Sequence, residues 1–278
     1  MNMNVVSNKI KPFVSHIVLL IGALMMVMPF VWMLSTSLKQ PGTEFVFPPQ
    51  WIPEKFDWSN YPGALDRVPL FTQMLNSLKV ASLITIGQVA TSATAAYAFA
   101  RMRFPGREWL FVVYLATMMV PEHVKLIPQF VVMNYLDMLD THSSLIVPKL
   151  VSAFGVFLLR QFFMTIPREL EEAAIIDGCN PLRVFWNIML PLSKPALTAL
   201  AIFVFMGSWN DLLHPLIFIS SNEMRTLPVG LAFFSDFNQV DYTLLMAAAT
   251  MALGPVIVVY LFAQRYFIEG IALSGIKG

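Results

Sequence analysis

Charge is scarce in this chain of 278 residues: Asp, Glu, Lys and Arg make up 13%, about half of the ~25% of an ordinary soluble domain. The formal net charge of +1 excludes the basic surface that a general nucleic-acid binder needs. Cysteine occurs once, as Cys179, so neither an internal disulfide nor a thiolate metal cluster is available. The four histidines, His16, His123, His142 and His214, show neither HExxH spacing nor the paired arrangement that holds a haem. No GxxxxGKS or GxxxxGKT segment occurs, so ATP is not bound by that route. Low-complexity tracts and internal repeats are lacking as well.

What is present is apolar. Hydrophobic residues make up 57% of the chain and the mean hydropathy is +0.66. That hydrophobicity excludes intrinsic disorder, and the few charges are too few to cover a soluble surface. The composition is that of a membrane protein. A helix crossing a ~30 Å hydrocarbon core needs about 20 residues, and six stretches meet that length. They run approximately over Phe13–Leu38, Met74–Ala100, Trp109–Val131, Ser143–Phe163, Ala196–Ser220 and Leu244–Phe267. The first follows Lys9 and Lys11, yet it is longer than a signal peptide's apolar region and no small-residue cleavage site follows it. It is expected to be retained.

Basic residues orient the spans. Lys9, Lys11, Arg101, Arg103, Arg107, Arg160, Arg168, Arg183, Lys194, Arg265 and Lys277 fall on one side, against Lys39, Lys55, Arg67 and Arg225 on the other. Lys79, Lys125 and Lys149 lie too near helix edges to assign. This bias predicts an all-α polytopic protein with both termini in the cytoplasm. Residues 1–12 would be a cytoplasmic N-terminus, 13–267 a six-helix transmembrane domain with a cytoplasmic loop at 166–195, and 268–278 a cytoplasmic tail. The first exterior loop, from Lys39 to about Thr72, carries prolines at 41, 48, 49, 53, 62 and 69, which predict extended chain rather than another helix. Its Trp51, Trp58 and Tyr61 suit interfacial anchoring, with docking of a partner as the alternative.

The loop from Ile166 to Leu197 carries the strongest signal. Pro167 opens it, Glu169, Glu171 and Glu172 favour a helix N-terminus, and Asp177–Gly178 with Pro181 supplies a stop. The pattern predicts a short helix of about ten residues, too short to span a bilayer. Glu172, Ile175 and Ile176 share one flank of it. Glu172, Ala173 and Ala174 are followed after three residues by Gly178, and after nine more by Ile188, then Leu190 and Pro191.

In that spacing the chain resembles the membrane-spanning permease subunit of bacterial ATP-binding-cassette importers, in their carbohydrate-uptake branch. AYAFARMRFPGR (96–107), LLRQFFMTIP (158–167), LPLSKPAL (190–197), GSWND (207–211) and the terminal GIKG extend the resemblance over most of the chain. The resemblance implies a type I importer permease fold and a loop helix, Glu172 to Gly178, that couples to an ATPase. Glu172 would contact a basic or polar ATPase residue, Ile175, Ile176 and Asp177 would lie in the contact, and Gly178 would permit the turn. It further implies two ATPase subunits, a second permease, an external solute-binding protein and a place in the bacterial inner membrane. No cofactor is expected, because ATP would be bound by the partner. The default cargo is a sugar or oligosaccharide, with a glycerol phosphodiester, polyol or uronic-acid oligomer as alternatives. A self-contained ion-driven transporter is the rival from another class, and it would call for more buried charge.

Inside the spans, Asp211 and Asn210 are the costly polar residues of the fifth stretch. With Trp209 beside them they suit a sugar, whose hydroxyls bond to carboxylate and carboxamide and whose C–H face stacks on an aromatic ring. Gln88, with Thr85, Thr91 and Ser92, makes a polar run in the second stretch, which interhelical bonding explains equally well. Ser92, Ala96 and Ala100 form a small-residue stripe suited to close packing.

Overall fold

A computed structural model describes residues 3–234 and 240–274, with side chains from 15 onward up to 258, and at 260 and 261. The terminal GIKG, with Lys277, lies outside the described residues, as do the side chains of Lys9, Lys11 and Arg265. The helices are α1 (Met3–Ser37), α2 (Asn60–Arg67), α3 (Leu70–Arg101), α4 (Arg107–Ala116), α5 (Glu122–Tyr135), α6 (His142–Ile146) and α7 (Ala153–Thr165). They continue with α8 (Glu169–Ile176), α9 (Pro181–Val184), α10 (Leu190–Leu192), α11 (Lys194–Trp209), α12 (Leu213–Phe218), α13 (Leu227–Ala232) and α14 (Tyr242–Ser274). No strand occurs among the described residues.

Two helices are long and apolar enough to cross a membrane singly: Ser15–Ser37 within α1, and α3. The third and fourth stretches are broken rather than straight. Arg107–Met119 and Glu122–Tyr135 meet at 98°, and His142–Lys149 and Ala153–Thr165 at 41°. Pro121 has no N–H to carry the helix across the first break. The fifth stretch ends its helix at Trp209, and α12 resumes after Asn210–Leu212. Apolar residues flank all three breaks and outweigh the few polar ones at them, which is why hydropathy reads them as continuous spans.

The chain divides into two compact units, residues 1–68 with 231–253, and residues 69–230 with 254–278. In the first, the Asn60 amide donates to the backbone carbonyls of Ser37 and Lys39 at 3.0 and 2.8 Å, so α2 caps the end of α1. Trp32 meets Trp51 edge-on at 5.0 Å, and the Lys39 ammonium lies 4.2 Å from the Trp32 ring centre. The proline-rich loop is free of helix up to Trp58 but is folded into successive turns and bends rather than extended chain, and Asn60–Arg67 is helical. Pro62 sits in the first turn of that helix, where its missing N–H breaks no bond.

The second unit is organised around α3, which packs on α7 and α11. Ser92, Ala96 and Ala100 are buried along it, and a Cβ placed on Gly155 of α7 would meet Ser92 Cβ at 3.1 Å and a Leu200 methyl of α11 at 3.3 Å. The small-residue stripe is thus where three helix backbones converge. Phe111, Val156, Leu159, Phe163, Val184, Phe185 and Met189 complete this core. From Asn76 to Arg101, α3 rises about 37 Å, enough to cross a hydrocarbon core. Near its start, Asn76 donates to the carbonyls of Glu223 and Arg225 at 2.7 and 2.9 Å.

Candidate functional site

Two arrangements in the second unit gather the residues singled out by sequence. The first is the helix–turn at 169–193. Glu169, Glu171 and Glu172 occupy the first turn of α8, where the unpaired N–H groups favour negative charge. At its other end Gly178 adopts φ +83°, the left-handed conformation that costs glycine nothing. The Cys179 N–H then bonds the Ala174 carbonyl at 2.9 Å and the Gly178 N–H that of Ile175 at 3.0 Å, a Schellman closure. The next helix starts at once: the Asn180 side chain accepts from the Arg183 N–H at 2.8 Å and Pro181 takes the first helical position.

The expected coupling residues divide by face. Ala174 is buried, and Ile188 and Leu190 pack against the same core. Glu172, Ala173, Asp177, Gly178 and Pro191 are exposed, with Ile175 at 56% and Ile176 at 86% exposure. Leu170, Leu182 and Trp186 extend that outward apolar surface. It is flanked by carboxylates and has no counterpart among the described residues.

This surface is rigidly tied to α3 by a residue that the sequence pattern did not single out. Arg101 forms an ion pair with Glu171, its Nε 2.8 Å from Oε1, and its Nη2 donates to the carbonyls of Phe163, at 2.6 Å, and of Ile166. Burial pushes the Glu171 carboxyl above its ordinary range, with the Arg101 guanidinium pulling it down. Tyr97 adds a second tie, donating to the Pro181 carbonyl at 3.2 Å. Glu171 stands among three glutamates that suit a helix start equally well, so only the position of Arg101 reveals which one turns inward.

From Phe185 to Met189 the chain forms one π turn, with the Leu190 N–H reaching back to the Phe185 carbonyl. Pro191 and Pro195 remove donors just beyond it. Pro181–Leu192 then meets α11 at 77°.

The second arrangement is a cavity of about 700 Å³ to which all three helix breaks contribute, through Pro121, Ser152 and Asp211 among others. Lys149 donates to Asp211 Oδ2 at 2.5 Å. His214 Nδ1 lies 2.9 Å from the same oxygen, and its Nε2 is 3.8 Å from Glu122. Gln88 lines this space, as do His123 and Lys125. The Thr91 hydroxyl satisfies the Leu150 carbonyl, at 2.5 Å, where the fourth stretch is interrupted. Discontinuous helices around polar groups are how transporters expose backbone and charge at membrane depth. Trp209 is elsewhere: it is 4% exposed and stacks on Phe205 at 5.8 Å. Asn210 turns its amide to the Met206 carbonyl at 3.0 Å. Neither lines the cavity. Lys149, His214 and Glu122 escape a linear reading because their partners come from other elements.

A helical membrane protein with broken spans around a polar cavity, and one outward-facing helix–turn locked to a span, defines a transport subunit rather than an enzyme. Residues 88–272 match the family described as binding-protein-dependent transport system inner membrane component, and the chain belongs to that family. It is 35% identical, over 88% of its length and 86% of the relative's, to the arabinooligosaccharides transport system permease protein AraQ of Halalkalibacterium halodurans. It is 37% identical, over 93% of its length and 95% of the relative's, to the sn-glycerol-3-phosphate transport system permease protein UgpE of Yersinia pestis. Its fold matches a chain from the crystal structure of a bacterial ATP-binding-cassette transporter involved in the import of the acidic polysaccharide alginate. The TM-score is 0.82 at 26% identity, covering 94% of this chain and 98% of that one. The chain is therefore the permease subunit of an ATP-binding-cassette importer, an inner-membrane component that works with an ATPase and a solute-binding protein.

Proposed function

We propose that this permease passes a sugar or oligosaccharide through the Asp211–Lys149 cavity and takes its driving motion from an ATPase seated on α8. The observation that carries the docking reading is the exposed face of Glu172, Ile175 and Ile176 on a helix whose inner side is fastened to α3 through Arg101. A lever must be short, rigid and joined to spans, so that closure of the ATPase moves helices rather than loop. The Ala173–Gly178 turn supplies the stop, and Ile188, Leu190 and Pro191 pass the motion to α11.

The arginines at 101, 103, 107, 160, 168 and 183 would lie in the cytoplasm with both termini. The second permease would complete the pathway, of which Gln88 and Asp211 form one wall. Hydroxyl-rich cargo suits the acceptors and donors of that wall, and Lys149 gives it a means of holding a carboxylated sugar. An ion-driven carrier is the rival reading, and the Arg101-fastened helix is the feature it leaves without a use.

The decisive measurement is ATP hydrolysis and uptake by the reconstituted complex carrying Glu172→Ala. Substrate-stimulated hydrolysis is expected to fall to the unstimulated rate while the complex remains folded. Full coupled uptake in that variant would sink the docking reading, and uptake that follows an ion gradient without ATP would sink the mechanism.

A further inference from the structure

A concavity of about 790 Å³ opens beside the end of α3, bounded by Arg101, Arg103, Arg107, Arg168, Glu108 and Trp109. Its charges are not all spent internally. Arg101 is committed to Glu171, while Arg107 and Arg160 share Glu108 at 2.7 and 3.1 Å. Arg103 and Arg168 are exposed and have neither a side-chain hydrogen bond nor an ion pair among the described residues, Arg168 acting on Glu171 only at longer range. Two free guanidinium forks on one rim match the oxygens of a phosphate diester, which they can grip in pairs.

The rim continues into an apolar strip. Trp109, Leu110, Val112 and Val113 of α4 are 68, 45, 63 and 45% exposed, and they lead away from the arginines along the helix. A soluble anion accounts for the arginines alone. A molecule with an anionic head and hydrocarbon tails accounts for both, and tryptophan belongs at the level where head and tail meet. We propose that this concavity binds the headgroup of an anionic membrane phospholipid, with its acyl chains along α4. The site uses none of the exposed α8 residues assigned to ATPase docking, so it stands or falls separately.

The test is native mass spectrometry of the full importer complex in mild detergent, titrated with phosphatidylglycerol, phosphatidylcholine or inorganic phosphate. Phosphatidylglycerol is expected to bind about tenfold more tightly than phosphatidylcholine. Arg103→Gln combined with Arg168→Gln should weaken it about tenfold or more, since each basic residue near a lipid surface contributes on the order of a fivefold factor, with phosphatidylcholine unaffected. Equal affinity for the two lipids in the unmodified complex would overturn the proposal without recourse to any variant. Unchanged phosphatidylglycerol binding in the double variant would overturn it too. Inorganic phosphate that displaces the lipid at equal concentration would make the site one for a soluble anion, and the lipid reading would be wrong.

Discussion

Arg101 shows how much can depend on a single side chain. It closes the end of α3 on two backbone carbonyls and on Glu171, with its side chain 5% exposed and that of Glu171 13%. Removing one partner of such a buried pair leaves an uncompensated charge, at a cost of about 3–5 kcal/mol. Arg101→Ala is therefore expected to lower the melting temperature of the complex markedly, and adding Glu171→Gln should recover part of the loss. No recovery would mean that the carbonyl contacts carry the effect. Asp140 makes a different case. The backbone N–H groups of Ser221 and Ser220, at 2.8 and 2.9 Å, hold its carboxyl below the usual carboxylate range. A carboxyl lowered by folding stabilises the fold above its unfolded pKa, and that contribution fades as pH falls through the folded value. Asp140→Asn should thus lower the melting temperature at pH 7, and its deficit should shrink as the pH is taken below 4. A deficit constant with pH would show that geometry, not charge, is what Asp140 supplies.

At the scale of elements, the ends of α8 were legible because they rest on local chemistry: acidic residues at the start, and a glycine that closes the C-terminus. Gly178→Ala places a side chain at φ +83°, a strain of about 1 kcal/mol. The expected outcome is lower ATPase stimulation with normal assembly, read in the reconstituted complex; unchanged stimulation would show that the turn has slack. The interruptions at Pro121, Ser152 and Asp211 were not legible from hydropathy, since the one or two polar residues at each are averaged away by the apolar residues on either side. Proline marked only the first. The Thr91 bond to the Leu150 carbonyl and the Lys149–Asp211 pair depend on approaches between segments roughly sixty residues apart, which no local window contains. The helix at Asn60–Arg67 was missed for the opposite reason, because Pro62 reads as a breaker unless its place in the first turn is known.

At the scale of the molecule, composition identified a membrane protein, and seven spaced residues around Glu172 identified its kind. What composition does not specify is the partner set, because the surfaces that bind partners differ from lipid-facing ones only in arrangement. Affinity purification of the tagged chain in mild detergent should recover an ATPase and a second, different permease chain, identified by mass spectrometry. Recovery of this chain and the ATPase alone would replace the heteromeric pair with a pair of identical permeases. The π turn at Phe185–Met189 gives the connection between α9 and α10 one further property. A π turn houses one residue more than an α-helical turn, and one residue amounts to about 100° of helical rotation. It is thus a phase adjuster: it sets the azimuth of Leu190–Leu192 relative to Pro181–Val184, ahead of the 77° bend into α11. Shortening this stretch by one residue would relax it to ordinary helix and turn Leu190–Leu192 by about 100° against Pro181–Val184, changing the direction in which the chain enters the bend.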